Sequence, residues 1–242
     1  MRVKKSFCFL ILGCCLYFMC LPASGQAVDQ AMIYLKKGNI LFAKGDLDGA
    51  MANFNKAIEL KPTLAAAYLY RGYTRRAQGA LDQAIEDYDR ATELDPRTTL
   101  KNRQVAQAYI NHGQINKNKL EAEVAINAYN KAIKLYPDEL HAYLERGEAR
   151  ILLEDFQGAL ADFNYLLGIK DHDEGRTALA YACRSFVKLL LGQEDEAKKD
   201  LAESLKLGNK NKMDINSFMR YLEVQLLMMR RVHPQKKKEK VT

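Results

Sequence analysis

Apolar and polar residues along this chain follow one template that recurs five times, over residues 31–64, 65–98, 106–139, 140–173 and 178–211, each copy 34 residues long. Within a copy, two stretches of helical period flank a short polar turn. In the first copy these are 32–43 and 49–60, around Lys44, Gly45 and Asp46. Position 4 is always tyrosine (Tyr34, Tyr68, Tyr109, Tyr143, Tyr181), and position 20 is always alanine (Ala50, Ala84, Ala125, Ala159, Ala197). Position 8 reads Gly38, Gly72, Gly113, Gly147 and, as the one departure, Ser185. Position 24 is bulky: Phe54, Tyr88, Tyr129, Phe163 and Leu201. Position 27 is small in four copies (Ala57, Ala91, Ala132, Ser204) and Leu166 in the fourth. Small residues at positions 8 and 20 let two helices approach closely, and the large residues at 4 and 24 fill the space beside that contact. Gly45, Gly79 and Gly192, near position 15, suit the left-handed turn that closes a helix. Pro62, Pro96 and Pro137 break the chain before the next pair. No segment alternates as a half-buried strand does.

A period of 34 with these landmarks resembles the tetratricopeptide repeat, an antiparallel helix pair. One pair cannot bury its apolar face alone, so the core must run on from pair to pair. The resemblance implies an all-α, right-handed superhelical solenoid of five helix pairs, read here as one extended unit. Two insertions interrupt it. Residues 99–105 contain neither glycine nor proline and predict a first helix of repeat three lengthened by about two turns, starting near Leu100. Residues 174–177 follow the polar run Lys170, Asp171, His172, Asp173, which reads as a loop. After the last repeat, Ile215, Phe218, Met219, Leu222, Leu226 and Met229 fall on one helical face with Asp214 placed to cap it. Residues 212–231 therefore read as a helix covering the open end of the stack, and 232–242 as a basic disordered tail.

Comparing the copies brings out a polar pairing. Position 7, usually apolar in this family, carries Lys37, Arg71, His112, Arg146 and Arg184, and position 23 carries Asn53, Asp87, Ala128, Asp162 and Asp200. Aspartate occurs in the three copies with arginine and in no other. Arg71–Asp87, Arg146–Asp162 and Arg184–Asp200 are therefore expected to be ion pairs joining the two helices of a repeat.

Charge changes the picture only at the ends. The formal net charge of +7 includes Arg2, Lys4 and Lys5 at the start, and six basic residues against Glu239 over 230–242, which leaves −1 for the repeat body. A basic nucleic-acid face is not implied. Arg2, Lys4 and Lys5 precede an apolar run over 7–21 and then Pro22, Ala23, Ser24, Gly25, Gln26 and Ala27, the arrangement of a signal peptide spanning 1–27, with cleavage after Ala27 or Gly25. The run is shorter than the ~20 residues of a membrane span. Ile11, Leu12, Gly13 and Cys14 also resemble a lipoprotein box, so the alternative is a membrane-anchored lipoprotein or a retained leader. Four of the five cysteines lie in this leader. Cys183 remains alone and reads as an apolar filler, so no internal disulfide is expected after export.

His112, His141, His172 and His233 make no metal-ligand spacing, and no phosphate loop or nucleophile elbow occurs. The expectation is a non-enzymatic protein without cofactor or metal. In similar proteins the first helices line a concave groove that holds peptides or partner helices. That resemblance puts Leu35, Asn39, Phe42, Leu69, Tyr70, Tyr73, Arg76, Ile110, Asn111, Gln114, Leu144, Glu148 and Phe186 in a partner-binding groove, with position 5 as an apolar row. The cationic clamp of chaperone-binding members is missing. From repeat one the clamp positions hold Leu35, Asn39, Tyr70, Gln107 and Asn111, and from repeat two Leu69, Tyr73, Asn111, His141 and Glu145. The sequence thus predicts an exported (periplasmic or secreted) scaffold for a protein or peptide partner, without nucleic acid, and with weak membrane association through the N-terminal segment or the basic tail as a further reading.

Overall fold

The computed structural model describes residues 25–169 and 173–232, and these are helical with short connections. The leader over 1–24, His172, His233 and the tail from 233 onward lie outside the described residues. Gly25 and Ala27, the two expected cleavage positions, fall on the first turn of the first helix.

The chain forms two compact units, Met1–Thr99 and Leu100–Thr242. In the first unit, repeats one and two are α1 (Gly25–Ala43), α2 (Leu47–Leu60), α3 (Ala65–Ala77) and α4 (Leu81–Leu94), followed by one helical turn, α5 (Pro96–Thr99). In the second, α6 (Arg103–Asn118) and α7 (Ala122–Leu135) form repeat three, and α8 (Leu140–Leu152) and α9 (Phe156–Gly168) form repeat four. Repeat five is α10 (Glu174–Leu190) and α11 (Glu194–Lys210), and α12 (Ile215–Val232) ends the described chain.

The small residue at position 8 answers to the ring at position 24. A Cβ on Gly38 would stand 2.5 Å from the Phe54 ring, one on Gly72 2.6 Å from Tyr88, and one on Gly113 2.5 Å from Tyr129. At Gly147 it would overlap Phe163. Repeat five departs at both places together. Ser185 has its Cβ, the facing residue is the smaller Leu201, and the serine hydroxyl donates to the Ala197 carbonyl at 2.8 Å. Position 15 is left-handed in every repeat, at Gly45 (φ 82°), Gly79 (82°) and Gly192 (76°) but also at Leu120 (64°) and Glu154 (58°). The pair geometry imposes that turn even where the sequence supplies no glycine.

The first insertion is built differently from the expected long helix. Pro96 lacks an N–H and opens a single turn, Thr99 is buried with its hydroxyl 2.9 Å from that of Thr92, and the chain then breaks at Lys101 (φ 57°). Lys101 N–H donates to the Leu135 carbonyl at 2.8 Å, and the Asn102 side chain accepts from Val105 N–H at 3.2 Å, capping α6. The helix therefore starts at Arg103 and has 16 residues, shorter than α1 with 19 and α10 with 17. The second insertion is helical. Asp173 caps α10, and residues 174–177 form its first turn, tied down by Lys210 to Glu174 at 2.6 Å.

The last helix does more than close the stack. Ile215 packs against Ala178 and Ala182 at the end of repeat five, as a covering helix should. Farther along, Leu222 and Leu226 enter a cluster with Leu144, Ile151, Cys183, Phe186 and Val187. Met229 meets Ala122 and Leu152, and Arg230 bonds Glu154 at 2.7 Å. So α12 lies along α8 and α10, the first helices of repeats four and five.

Candidate functional site

The three expected ion pairs form, each with the arginine fork closed on the carboxylate. Arg71 reaches Asp87 through Nη2 at 2.6 Å and Nε at 3.0 Å. Arg146 reaches Asp162 at 2.6 and 3.0 Å, and Arg184 reaches Asp200 at 2.6 and 2.7 Å. The same carboxylate takes a second cation from position 11: Arg75 at 2.9 Å, Arg150 at 2.7 Å and Lys188 at 2.9 Å. The remaining arginine nitrogen, Nη1, bonds an asparagine at position 25 of the preceding repeat: Asn55 at 2.8 Å, Asn130 at 2.7 Å and Asn164 at 2.9 Å. Each guanidinium also stands over the position-4 tyrosine of its own repeat, 5.3 Å from Tyr68 and Tyr143 and 5.4 Å from Tyr181. One side chain thus joins three helices. Burial alone would raise the Asp200 carboxyl, but hydrogen bonds from Arg184 and Lys188 hold it below its ordinary value.

Where the arginine is absent, the arrangement dissolves. In repeat one Asn53 turns to the Gly49 carbonyl of its own helix at 2.8 Å. In repeat three, Asn116 approaches His112 at 3.1 Å, and Lys131 takes the place over Tyr109 at 5.5 Å. Two members of the clamp escaped sequence reasoning although a signal was present. A basic residue at position 11 occurs only in copies with aspartate at 23, and asparagine at 25 only in copies that precede an arginine at 7.

The second unit also holds a buried charge network on its first-helix face. Lys117 of α6 donates to Glu145 at 2.7 Å and Glu148 at 2.6 Å, both on α8. Glu145 accepts further from Tyr129 at 3.1 Å and Gln114 at 3.0 Å, with His141 Nε2 at 3.4 Å. Burial opposes the charge on Lys117, but Glu148 and Glu145 hold its ammonium well above the ordinary lysine value. Burial, with Glu145 nearby, pushes Glu148 up despite Lys117. Glu145, with more donors, sits below its ordinary value although burial works against it. Cys183 is buried, and its thiol is pushed well up by burial and by Glu148, which makes it inert filler as expected. Burial raises the phenol of Tyr221 on α12, with Lys117 opposing and the two glutamates adding to the rise.

The expected groove residues divide. Leu35, Leu69, Ile110 and Leu144, with Ala182, are buried at 6 % exposure or less. The position-5 row is therefore core, a correction to its reading as an apolar groove lining. Glu148 and Phe186 are also buried, the first in the charge network and the second in the cluster that α12 joins. Gln114 is tied to Glu145, and Asn111 is exposed and accepts from Gln107 at 2.9 Å. In the first unit, Asn39, Phe42, Tyr70, Tyr73 and Arg76 remain half-exposed. There the rings form a ladder: Phe54 to Tyr70 at 6.0 Å, then Tyr70 to Tyr73 and Tyr73 to Tyr88, both at 5.8 Å. Arg76 stands 5.9 Å above Tyr73. Among the described residues no cluster of His, Cys, Asp and Glu could hold a metal ion.

The repeats and their fold have known counterparts. Tetratricopeptide repeat profiles match residues 65–97 and 120–174, and a further TPR repeat profile matches 38–75. Tetratricopeptide repeat protein 36 of Bos taurus is 33% identical over 90 residues, covering 37% of this chain and 47% of that protein. The Xenopus tropicalis protein of the same name is 39% identical over 88 residues, covering 35% and 42%. The chain thus spans about half the length of the curated relatives it matches. The crystal structure of MamA aligns over 76% of this chain and 94% of its own, at 27% identity and a TM-score of 0.53. YrrB, a TPR protein with an unusual peptide-binding site, aligns over 77% and 93% at a TM-score of 0.53, and its 18% identity shows a shared fold. Recurring pairs locked by the position-8 contact, the family profiles over 38–97 and 120–174, and the likeness to solved TPR solenoids lead to one assignment: this all-α chain carries tetratricopeptide repeats over those residues and has the fold of a TPR solenoid.

Proposed function

We propose that this chain is a protein-interaction scaffold that takes an extended peptide or a partner helix on the first-helix face of repeats one and two, and that it works outside the cytoplasm after export. One observation carries the choice of face. In repeats four and five the corresponding surface is filled by α12, whereas Phe42, Tyr70, Tyr73 and Arg76 in the first unit keep half-exposed rings and a guanidinium in reach of a ligand. Rigid aromatic side chains and arginine are the residue types that contribute most to binding per contact. Asn39 Oδ1 is shielded from solvent and has no hydrogen-bond partner among the described residues.

The test is peptide selection from a random library on the intact chain. Selected peptides should weaken by about tenfold, roughly 1.4 kcal/mol, on Tyr73→Phe, which removes the hydroxyl and keeps the ring, and again on Arg76→Gln, with the far-UV circular dichroism unchanged. Peptides that bind both variants as well as the parent would refute this face. Export is carried by the leader pattern over 1–27. Mass spectrometry of the cell-derived protein should find Val28 or Gln26 at its N-terminus, and a cytosolic protein starting at Met1 would overturn that part. A lipid on Cys14 would instead establish the membrane-anchored form.

A further inference from the structure

The last helix is apolar on both of its sides. Leu222, Leu226 and Met229 are buried against the repeats, yet Tyr221, Val224, Leu227, Met228 and Val232 are exposed at 39–57%. No other described helix leaves so many large apolar side chains in water. With 3.6 residues per turn, Val224, Leu227 and Met228 share the outer face with Arg220 and Arg231, Tyr221 lies at its edge beside Phe218, and the single acid of the helix, Glu223, falls on the other flank. The sequence then continues into Lys236, Lys237, Lys238 and Lys240 against Glu239 alone. Exposed apolar side chains with an arginine at each end of the patch, followed by cations of the same sign, are the composition of a helix lying in a lipid interface. No described helix is long and apolar enough to cross a membrane.

We propose that the outer face of α12 docks on an anionic lipid surface, holding the repeats at the membrane edge while the inner face of the same helix stays packed on α8 and α10. Charge decides among the occupants. A second copy meeting this face across a two-fold axis would set arginine against arginine, and the following lysines would add to the repulsion. An anionic bilayer answers the cations with diffuse negative charge, and takes the apolar side chains at the headgroup boundary.

The chain contains no tryptophan, so one introduced residue is a site-specific reporter on the full-length protein. Met228→Trp should shift its emission to the blue, and should be quenched by brominated acyl chains, on vesicles of phosphatidylcholine with phosphatidylglycerol. Vesicles of phosphatidylcholine alone should leave it unchanged. Adding Arg220→Gln and Arg231→Gln should weaken binding roughly 30-fold, from about fivefold for each basic residue at the surface. Val224→Glu with Leu227→Glu should abolish it with the far-UV circular dichroism intact. A Glu203→Trp reporter on α11 controls for attachment through the leader and should stay unquenched. The proposal is overturned by an equal response to both vesicle types, by quenching at position 203 matching that at 228, or by no response at all. A blue shift that grows with protein concentration in the absence of lipid would identify a second copy instead. A shift produced by an acidic amphipathic peptide but not by vesicles would identify a protein partner, and either result refutes lipid docking.

Discussion

Asp162 is the point at which the clamp of repeat four can be measured. Its side chain is 3% exposed and takes three short bonds: Nη2 of Arg146 at 2.6 Å, Nε of Arg146 at 3.0 Å and Nη1 of Arg150 at 2.7 Å. Asp162→Ala leaves two guanidinium groups facing each other in a site closed to bulk water on one side. Breaking a fully buried pair costs about 3–5 kcal/mol by stranding the partner charge. Here the arginines keep some solvent access, 15% and 21% of their side chains. Arg146 also retains Asn130 and the Tyr143 face. The loss should therefore lie near the low end, about 3 kcal/mol. Arg146→Met alone leaves Asp162 with Arg150 and should cost less, about 2 kcal/mol, with the double variant well short of the sum. A coupling of about 1–2 kcal/mol follows, within the span seen for contacting residues. The assay is urea denaturation followed by circular dichroism on the parent, the two single variants and the double variant. A coupling below about 0.5 kcal/mol, the limit within which independent sites add, would refute the clamp as a stabilising device.

Three further outcomes are expected. Lys117→Met strands two buried carboxylates and should cost about 3–5 kcal/mol, whereas Glu148→Gln, which keeps Lys117 on Glu145, should cost under about 1 kcal/mol; equal losses in urea denaturation would refute this division of roles. Asp200 is held below its ordinary value in the folded chain, so its contribution is full above the unfolded carboxylate value of roughly 3.9 and is lost as pH falls through the lower folded value. Asp200→Asn should accordingly reduce stability at neutral pH and flatten its fall at acid pH, and parallel pH profiles for variant and parent would contradict this. In repeat five, Leu201→Phe alone should overpack against Ser185 at about 1–3 kcal/mol, and adding Ser185→Gly, the combination used by the other repeats, should recover part of it in thermal melts; no recovery would show that ring clearance is not what position 8 provides.

The sequence by itself determined the repeat and much of its interior, because both depend on residues at fixed separation along one helix pair. The 34-residue period, the alanines at position 20 and the glycine beneath each ring are local requirements, the first two visible five times and the glycine four times. The Arg–Asp pairs were legible for the same reason, since positions 7 and 23 always face each other and the copies without arginine lack the acid. Tertiary structure alone decided what depends on a third neighbour. Leu35, Leu69, Ile110 and Leu144 read as groove residues from position, yet they are core, because a helix wheel does not say how far the adjoining helix reaches over it. The break at Lys101 carries no glycine or proline to announce it. It is held by a bond to the Leu135 carbonyl, a residue 34 positions away. Lys117 meets Glu145 and Glu148 of the next repeat, a contact that occurs in one pair of repeats and so leaves no recurring signal in the sequence. The amphipathic face of α12 was plain in the sequence, but an apolar stripe specifies only that it will be covered. The surface that covers it, α8 and α10 rather than the stack end alone, follows from shape and from the Arg230–Glu154 bond, which exist only once the repeats have assembled.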